Sequence, residues 1–291
     1  MIKYILICTL FLTITLQARM IHSIVDEQRV ALVIGNSNYT SLAPLKNPIN
    51  DARLIRDQLK KRGFTVIYKE DATKKEMRNL LKKFSHKITK GGVGFYYFGG
   101  HSINIDGKIN LTGIDSSIGN REYMAYETVV LNNIIKKMRN AHNRLNIIVL
   151  DTCRNIIKSN IYGTHHSSRG VHGGLTPLSN TRDIFIASAT VNGEVARDGK
   201  EGSYGILTKY LVSNFNKEGS TIRDIFEHTK QDIYTYINVQ RPQSTYDQIK
   251  GNYLFIIPPK KVSSKKRVPM SNKNSTIKKK RDHSIESPVL Q

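Results

Sequence analysis

Residues 145–155 read Leu-Asn-Ile-Ile-Val-Leu-Asp-Thr-Cys-Arg-Asn, an apolar run that gives way at Asp151 to polar and reactive side chains. A short continuous apolar run is typical of a strand buried on both faces, and such strands belong to parallel sheets. The run therefore predicts a strand over 145–150. Ligands of open parallel sheets bind beyond the carboxyl ends of the strands. Asp151 and Cys153 are accordingly the first candidates for chemistry.

Strands and helices alternate on both sides of this run. Strand patterns occur at 30–34, 64–68, 93–98, 183–189 and 253–257. Amphipathic helical spacings occur at 50–62, 73–88, 129–138, 204–216 and 221–238. This alternation predicts one α/β domain, roughly residues 28–258, with a mostly parallel, roughly six-stranded sheet and helices on both faces. The polar, glycine-rich stretch at about 156–182 is interpreted as a long exposed loop.

The two ends of the chain differ from this domain in composition. Residues 1–18 combine Lys3, a run of mostly apolar residues and the small residue Ala18, which is typical of a signal peptide. Export to the periplasm or secretion is expected, with an uncleaved membrane anchor as the alternative. Residues 259–291 form a predicted disordered basic tail, with ten Lys or Arg between 260 and 281. Such a tail suits an anionic partner or membrane surface, or is simply a solvated end.

Without residues 1–18 the chain keeps one cysteine, Cys153. A lone thiol forms neither an intramolecular disulfide nor a multi-cysteine metal site, so a buried apolar filler and a nucleophile remain. His101 follows the strand at 93–98 after two glycines, and a Cys–His pair at two strand ends would promote thiolate formation. Asp151 shares a face with Cys153 if the strand persists. Because a carboxylate disfavours a neighbouring thiolate, Asp151 suits a substrate contact better than an activator.

Short sequence blocks occur around these residues in a characteristic order. They include 33–39, 45–52, 97–101, 150–155, 187–190, 193–199, 205–208 and 251–255. Over essentially all of residues 29–257 these blocks resemble the caspase-like cysteine peptidases, most closely their bacterial metacaspase or orthocaspase branch. The resemblance implies the caspase-like three-layer sandwich, with Cys153 as nucleophile and His101 as its catalytic partner. It also implies an oxyanion site formed by the backbone N–H groups of Ser102 and Cys153.

Substrate preference differs among the branches that the sequence resembles. Caspases cut after aspartate and use arginines, whereas metacaspases and paracaspases cut after Arg or Lys and use acidic residues. The matching positions here are Asp51 and Asp151, and two converging carboxylates would pair with a cation and reject an anion. Glu194 or Asp198 are further candidates for this pocket. For Asp51, the alternative is an acid that satisfies the N-terminus of its own helix.

The sequence thus predicts a cysteine endopeptidase that acts on proteins or peptides after Arg or Lys, with self-cleavage in the 156–182 loop as a further hypothesis. No cofactor or metal site is predicted, and calcium activation, which occurs in some relatives, is left open along with the oligomeric state. The main alternative is a catalytically weak or inactive caspase-like scaffold with a basic recruitment tail. Its support is Ser102, because the resemblance has glycine there and a positive φ would cost serine more.

Two other classes of protein fit the sequence less well. In a nucleotide-binding α/β protein the phosphate loop follows a strand, whereas Gly91-Gly-Val-Gly94 precedes or enters one. A nucleic-acid binder is suggested by the formal net charge of +22, but a large share of that charge lies in the tail.

Overall fold

The computed structural model of the protein describes residues 27–88, 92–105, 108–117, 126–154, 184–190, 200–215, 217, 220–236 and 240–245. The predicted signal peptide, the loop at 156–182, the strand at 253–257, the basic tail, and Glu194 and Asp198 lie outside these residues. Within the described residues, no helix is long and apolar enough to cross a membrane.

Strands and helices alternate along the described chain, as the sequence predicts. In order they are β1 (Arg29–Gly35), α1 (Pro48–Lys61), β2 (Thr65–Glu70), α2 (Lys74–Lys87), β3 (Val93–Ile105), β4 (Lys108–Thr112), β5 (Thr128–Val130), α3 (Leu131–Asn140), β6 (Leu145–Arg154), β7 (Ile184–Ser188), α4 (Ile206–Asn214), α5 (Ile222–Tyr236) and β8 (Gln243–Thr245). The five predicted helices are present, each within a few residues of its expected bounds.

The sheet has the strand order β2-β1-β3-β6-β7-β8. Neighbours pair in parallel from β2 to β7, and β8 pairs with β7 in the antiparallel sense. Strands β4 and β5 lie off this path, because β4 pairs with the carboxyl half of β3 and β5 pairs with β4. The predicted α/β class with a mostly parallel sheet is confirmed.

Helices cover both faces of the sheet. Alternate residues of a strand point to opposite faces, so each central strand contributes to two separate apolar clusters. One cluster combines Val33 and Tyr97 with the apolar sides of α1, α4 and α5. The other combines Leu32 and Tyr96 with those of α2 and α3. The result is the predicted three-layer sandwich, in which each fully buried large side chain contributes about 1.5–3 kcal/mol.

Helix α1 starts directly against the end of β1. A Cβ built onto Gly35 would lie 2.4 Å from the Pro48 carbonyl oxygen and 2.7 Å from the Ala52 Cβ. Only glycine therefore allows this close approach. Pro48 stands in the first turn of the helix, where the missing N–H removes no helical hydrogen bond. This contact fixes the position of Asp51, which also lies in the first turn.

Two strands are longer than the sequence predicts. β3 continues beyond Phe98 to Ile105, and β6 continues beyond Leu150 to Arg154. Residues 99–102 pair in parallel with 151–154, while 102–105 pair with β4. Glycine and aspartate are depleted in strands, but these tertiary pairings override that preference. His101 and Cys153 consequently lie within strands and not in the loops after them.

Candidate active site

His101 and Cys153 lie opposite each other on neighbouring parallel strands. Their Cα atoms are register partners in the β3–β6 pair, and Ser102 and Arg154 form the next pair. Neighbouring strands are about 4.8 Å apart, so the sheet brings together the two residues that the sequence singles out. The catalytic roles of both residues remain predictions.

The His101 ring is held in one orientation. Its Nε2 lies 2.8 Å from the carbonyl oxygen of Ala43, and its ring centroid lies 4.7 Å from that of Tyr39. A carbonyl oxygen only accepts hydrogen bonds, so Nε2 carries the proton. In the neutral ring, Nδ1 then has the lone pair and is the atom that can act as a base.

Tyr39 supports the same histidine from the backbone side. The His101 N–H donates to the Tyr39 hydroxyl at 2.8 Å, and the Thr112 hydroxyl donates to the His101 carbonyl at 2.8 Å. Burial raises the pKa of Tyr39 to about 12, so its hydroxyl is neutral at physiological pH. A Cβ built onto Gly100 would lie 2.6 Å from that hydroxyl. Gly100 is therefore required for the close approach of Tyr39, a role that the sequence does not reveal.

Ser102 fits its position without backbone strain. Among the described residues other than glycine, only Asp71 and His142 have positive φ. The Ser102 side chain is buried and donates a hydrogen bond of 2.9 Å to the Thr152 hydroxyl. The sequence suggests weak activity because serine would be strained at a positive φ. Ser102 does not have a positive φ, so that reason no longer applies.

Asp51 is a buried carboxylate that binds the start of another helix. The residue is 2% exposed, and its Oδ1 accepts the N–H of Gly205 at 2.8 Å. Gly205 is the N-cap residue of α4. Asp51 thus satisfies an N-terminal N–H of α4, which is a different helix from the one in the alternative interpretation.

Asp151 is held by a chain of buried hydroxyl groups. The Thr208 hydroxyl lies 2.8 Å from Asp151 Oδ2 and 2.8 Å from the Tyr97 hydroxyl. A carboxylate only accepts, so Thr208 donates to Asp151 and Tyr97 donates to Thr208. Burial raises the pKa of Tyr97 well above its usual value, and the charges of Asp151 and Asp51 add to that effect. Tyr97 therefore stays a neutral donor.

The two carboxylates converge at Gly205. A Cβ built onto this residue would lie 2.8 Å from Asp51 Oδ2 and 3.3 Å from Asp151 Oδ2. These two oxygens are therefore at most about 6 Å apart, a spacing that one guanidinium group could bridge. Both acids are predicted from the sequence, whereas the roles of Gly205, Thr208 and Tyr97 are visible only in the folded structure. Among the residues that the structure describes, no group of three or more His, Cys, Asp or Glu is placed to hold a metal ion.

Gly205→Ala is expected to disturb this arrangement. The new methyl group would displace the Asp51 carboxylate, which should destabilise the fold by about 1–3 kcal/mol. From the predicted preference for basic substrates, we expect KM for an arginine peptide to rise about tenfold, in line with a weakened charge-assisted hydrogen bond. Chemical denaturation and initial rates measure the two effects.

Gly63→Ala is the matched control for that variant. Gly63 has a φ of 77°, and no atom lies within 4 Å of the position that a Cβ would take, so its substitution strains the backbone far from the carboxylates. It should lower stability by about 1 kcal/mol and leave KM unchanged. An equal rise of KM in both variants would mean that Gly205 acts only through stability.

The sequence matches the caspase domain family over residues 28–279. It is 32% identical over 187 residues to mucosa-associated lymphoid tissue lymphoma translocation protein 1 of Homo sapiens, and 30% identical over 187 residues to the homolog from Mus musculus. Each alignment covers 64% of this chain and 21% of the relative, so the chain matches about a fifth of the length of these curated relatives. Placement in the metacaspase or orthocaspase branch stays a prediction. The chain belongs to the caspase domain family of peptidases.

Proposed function

We propose that the protein is a cysteine endopeptidase that cleaves after Arg or Lys and uses Cys153 and His101 as its catalytic pair. The observation that supports it most is the convergence of Asp51 and Asp151 at Gly205, because Asp151 lies two residues before Cys153 on the strand beside His101. The proposed nucleophile, the proposed base and Asp151 then come from the carboxyl ends of two neighbouring strands, and Asp51 comes from the first turn of helix α1.

The proposed reaction begins with proton transfer from the Cys153 thiol to Nδ1 of His101. The thiolate attacks the carbonyl carbon of the substrate, and the backbone N–H groups of Ser102 and Cys153 stabilise the resulting oxyanion. The imidazolium then protonates the leaving amine, and the C–N bond breaks to give a thioester. His101 next takes a proton from a water molecule as its oxygen attacks the thioester carbon. The C–S bond then breaks to release the carboxylic acid product, and the imidazolium returns the proton to the Cys153 thiolate.

The proposed preference for a basic side chain follows from the charges of the pocket. Two carboxylates can accept parallel hydrogen bonds from a planar guanidinium group, whereas an ammonium group provides only a point charge. Arg should therefore be preferred over Lys. The carboxylate of an aspartate substrate would be repelled by both groups. The hydrogen bonds from Gly205 and Thr208 hold the two acids before the substrate arrives, which lowers the cost of ordering them on binding.

A panel of fluorogenic peptides tests the proposal. Peptides that end in Arg, Lys or Asp before the leaving amine are given to the purified protein with and without calcium, and Cys153→Ala defines the background rate. We expect the highest kcat/KM with Arg, a lower value with Lys, and no turnover of the Asp peptide above background. Turnover of the Asp peptide alone would refute the assignment of the pocket. A folded protein that cleaves none of the peptides would instead support the inactive scaffold.

Self-cleavage is a separate prediction of the same proposal. The stretch at 156–182 contains Lys158 and Arg169, and Arg154 precedes it. A basic preference makes bonds after these residues substrates for the protein's own site. We expect the wild-type protein to give two fragments on a denaturing gel and Cys153→Ala to stay intact. Identical uncut chains in both preparations, with the wild-type active on peptides, would contradict the prediction.

A further inference from the structure

The positive charge of the domain is concentrated on one face of the sheet. Residues 27–258 contain 33 Lys and Arg against 20 Asp and Glu, so the tail accounts for the smaller part of the net charge. Helices α2 and α3 together carry nine Lys and Arg and one acidic residue, Glu76. On the opposite face, α1, α4 and α5 carry seven basic and five acidic residues.

The basic face contains an open groove with a volume of about 480 Å³. Leu81 of α2 and Val129 of β5 contribute apolar surface, while the cations come from Arg78 of α2 and from Lys136 and Lys137 of α3. Asn133 adds a side-chain amide. All nine residues described along this groove are uncharged or basic.

Arg78 is anchored there by hydrogen bonds of 3.4 Å to the backbone carbonyls of Tyr126 and Thr128.

We propose that this groove, which we call the α2–α3 groove, binds a small organic phosphate. Its volume falls within the range of about 300–1,000 Å³ that is usual for small-molecule sites. Three cations and an amide match the acceptor oxygens of a phosphate chain, and the apolar surface suits the organic part of the ligand.

Other classes of ligand fit the groove less well. A flat membrane surface or an extended polymer would contact the outer sides of both helices, whereas Arg78, Lys136 and Lys137 line a groove. A cationic peptide would be repelled by the cations of the groove.

The groove is separate from the candidate active site but structurally linked to it. Val129 pairs with Leu111 of β4, and Leu111 pairs with Ser102 of β3. The floor of the groove is therefore two strands away from the residue that follows His101. The inference does not depend on peptidase activity, so it is tested in full-length Cys153→Ala, which also prevents self-cleavage.

Calorimetric titration with ATP and with inorganic tripolyphosphate tests the proposal. We expect saturable ATP binding with a stoichiometry of one. The double variant Lys136→Glu/Lys137→Glu should weaken it at least 100-fold, or about tenfold for each charge-assisted hydrogen bond that is removed. Lys60→Glu/Lys61→Glu is the matched control, because it makes the same charge change on exposed residues of the opposite face. The affinity of this control variant for ATP should differ from that of the parent protein by less than threefold.

The milder variant Lys137→Gln should weaken ATP binding about tenfold. It keeps the proposal testable if the double variant does not fold. Circular dichroism checks the fold of each protein. Equal weakening in the groove and control variants would overturn the proposal, because it would show unspecific attraction of charge. ATP binding that no groove variant weakens would also overturn it. So would binding seen only with phosphatidylglycerol vesicles or with an oligonucleotide.

Discussion

His101→Ala is expected to lower kcat/KM for an arginine peptide by about 10³-fold. The free thiol of cysteine is mostly protonated at neutral pH, and without the imidazole neither thiolate formation nor protonation of the leaving amine is assisted. The geometry supports this prediction, because the bond from Nε2 to the Ala43 carbonyl leaves Nδ1 as the basic nitrogen. Initial rates on the fluorogenic arginine peptide measure the loss, with Cys153→Ala as the background.

The pH profile separates this role from a structural one. Loss of the imidazole should leave a residual rate that rises with pH as the unassisted thiol ionises. Two controls accompany the variant. His86→Ala removes an exposed histidine of α2 and should leave kcat/KM unchanged. Tyr39→Phe should reduce kcat/KM about tenfold, because it removes only the hydrogen bond between the Tyr39 hydroxyl and the His101 backbone N–H. A His101→Ala protein that keeps a tenth of the wild-type rate would contradict the assignment.

Asp51→Asn and Asp151→Asn are each expected to lower kcat/KM for the arginine peptide by about 150- to 4,000-fold. Removing one partner of a buried ion pair costs about 3–5 kcal/mol, which corresponds to that range. Asparagine preserves the shape of the side chain and an oxygen for the Gly205 N–H or the Thr208 hydroxyl. The loss should therefore appear chiefly in KM, since the binding of the substrate cation is what changes.

Asp57→Asn is the matched control for this pair. Asp57 lies on the same helix as Asp51, but it is exposed and pairs with its neighbour Arg56. Its substitution should change kcat/KM less than twofold. The double variant of Asp51 and Asp151 should lose less than the product of the single losses, because in the proposed complex both acids contact the same guanidinium group. Wild-type rates in either single variant would show that the pocket lies elsewhere.

The fold could be predicted from the sequence because its central strands are continuous apolar runs. Such runs have few alternatives to burial between two helical layers. The β4–β5 hairpin was not predicted, since Lys108–Thr112 and Thr128–Val130 are short and mixed in polarity. Their pairing depends on the extension of β3, which is stabilised by β6. Local propensity does not contain that information.

The candidate site was predicted only in part, for a similar reason. His101 and Cys153 could be found because reactive side chains at strand ends are a recognisable pattern, and Asp51 and Asp151 followed from the resemblance. Gly205 could not be predicted, because it has no reactive side chain. It matters because the absence of a Cβ leaves space for two carboxylates. The Tyr97–Thr208–Asp151 chain joins β3, α4 and β6 through hydrogen bonds that exist only after folding.

Strands β6 and β7 flank the 156–182 stretch in sequence, yet they are neighbours in the interior of the sheet. Five register pairs join them, from Asn146 with Ile184 to Leu150 with Ser188. A nick between the strands therefore yields two polypeptides that stay associated as a non-covalent heterodimer. One fragment retains both acids of the proposed pocket, while the other retains Gly205 and Thr208. Neither fragment contains the whole of the proposed site, so we expect separately produced halves to become active only on mixing.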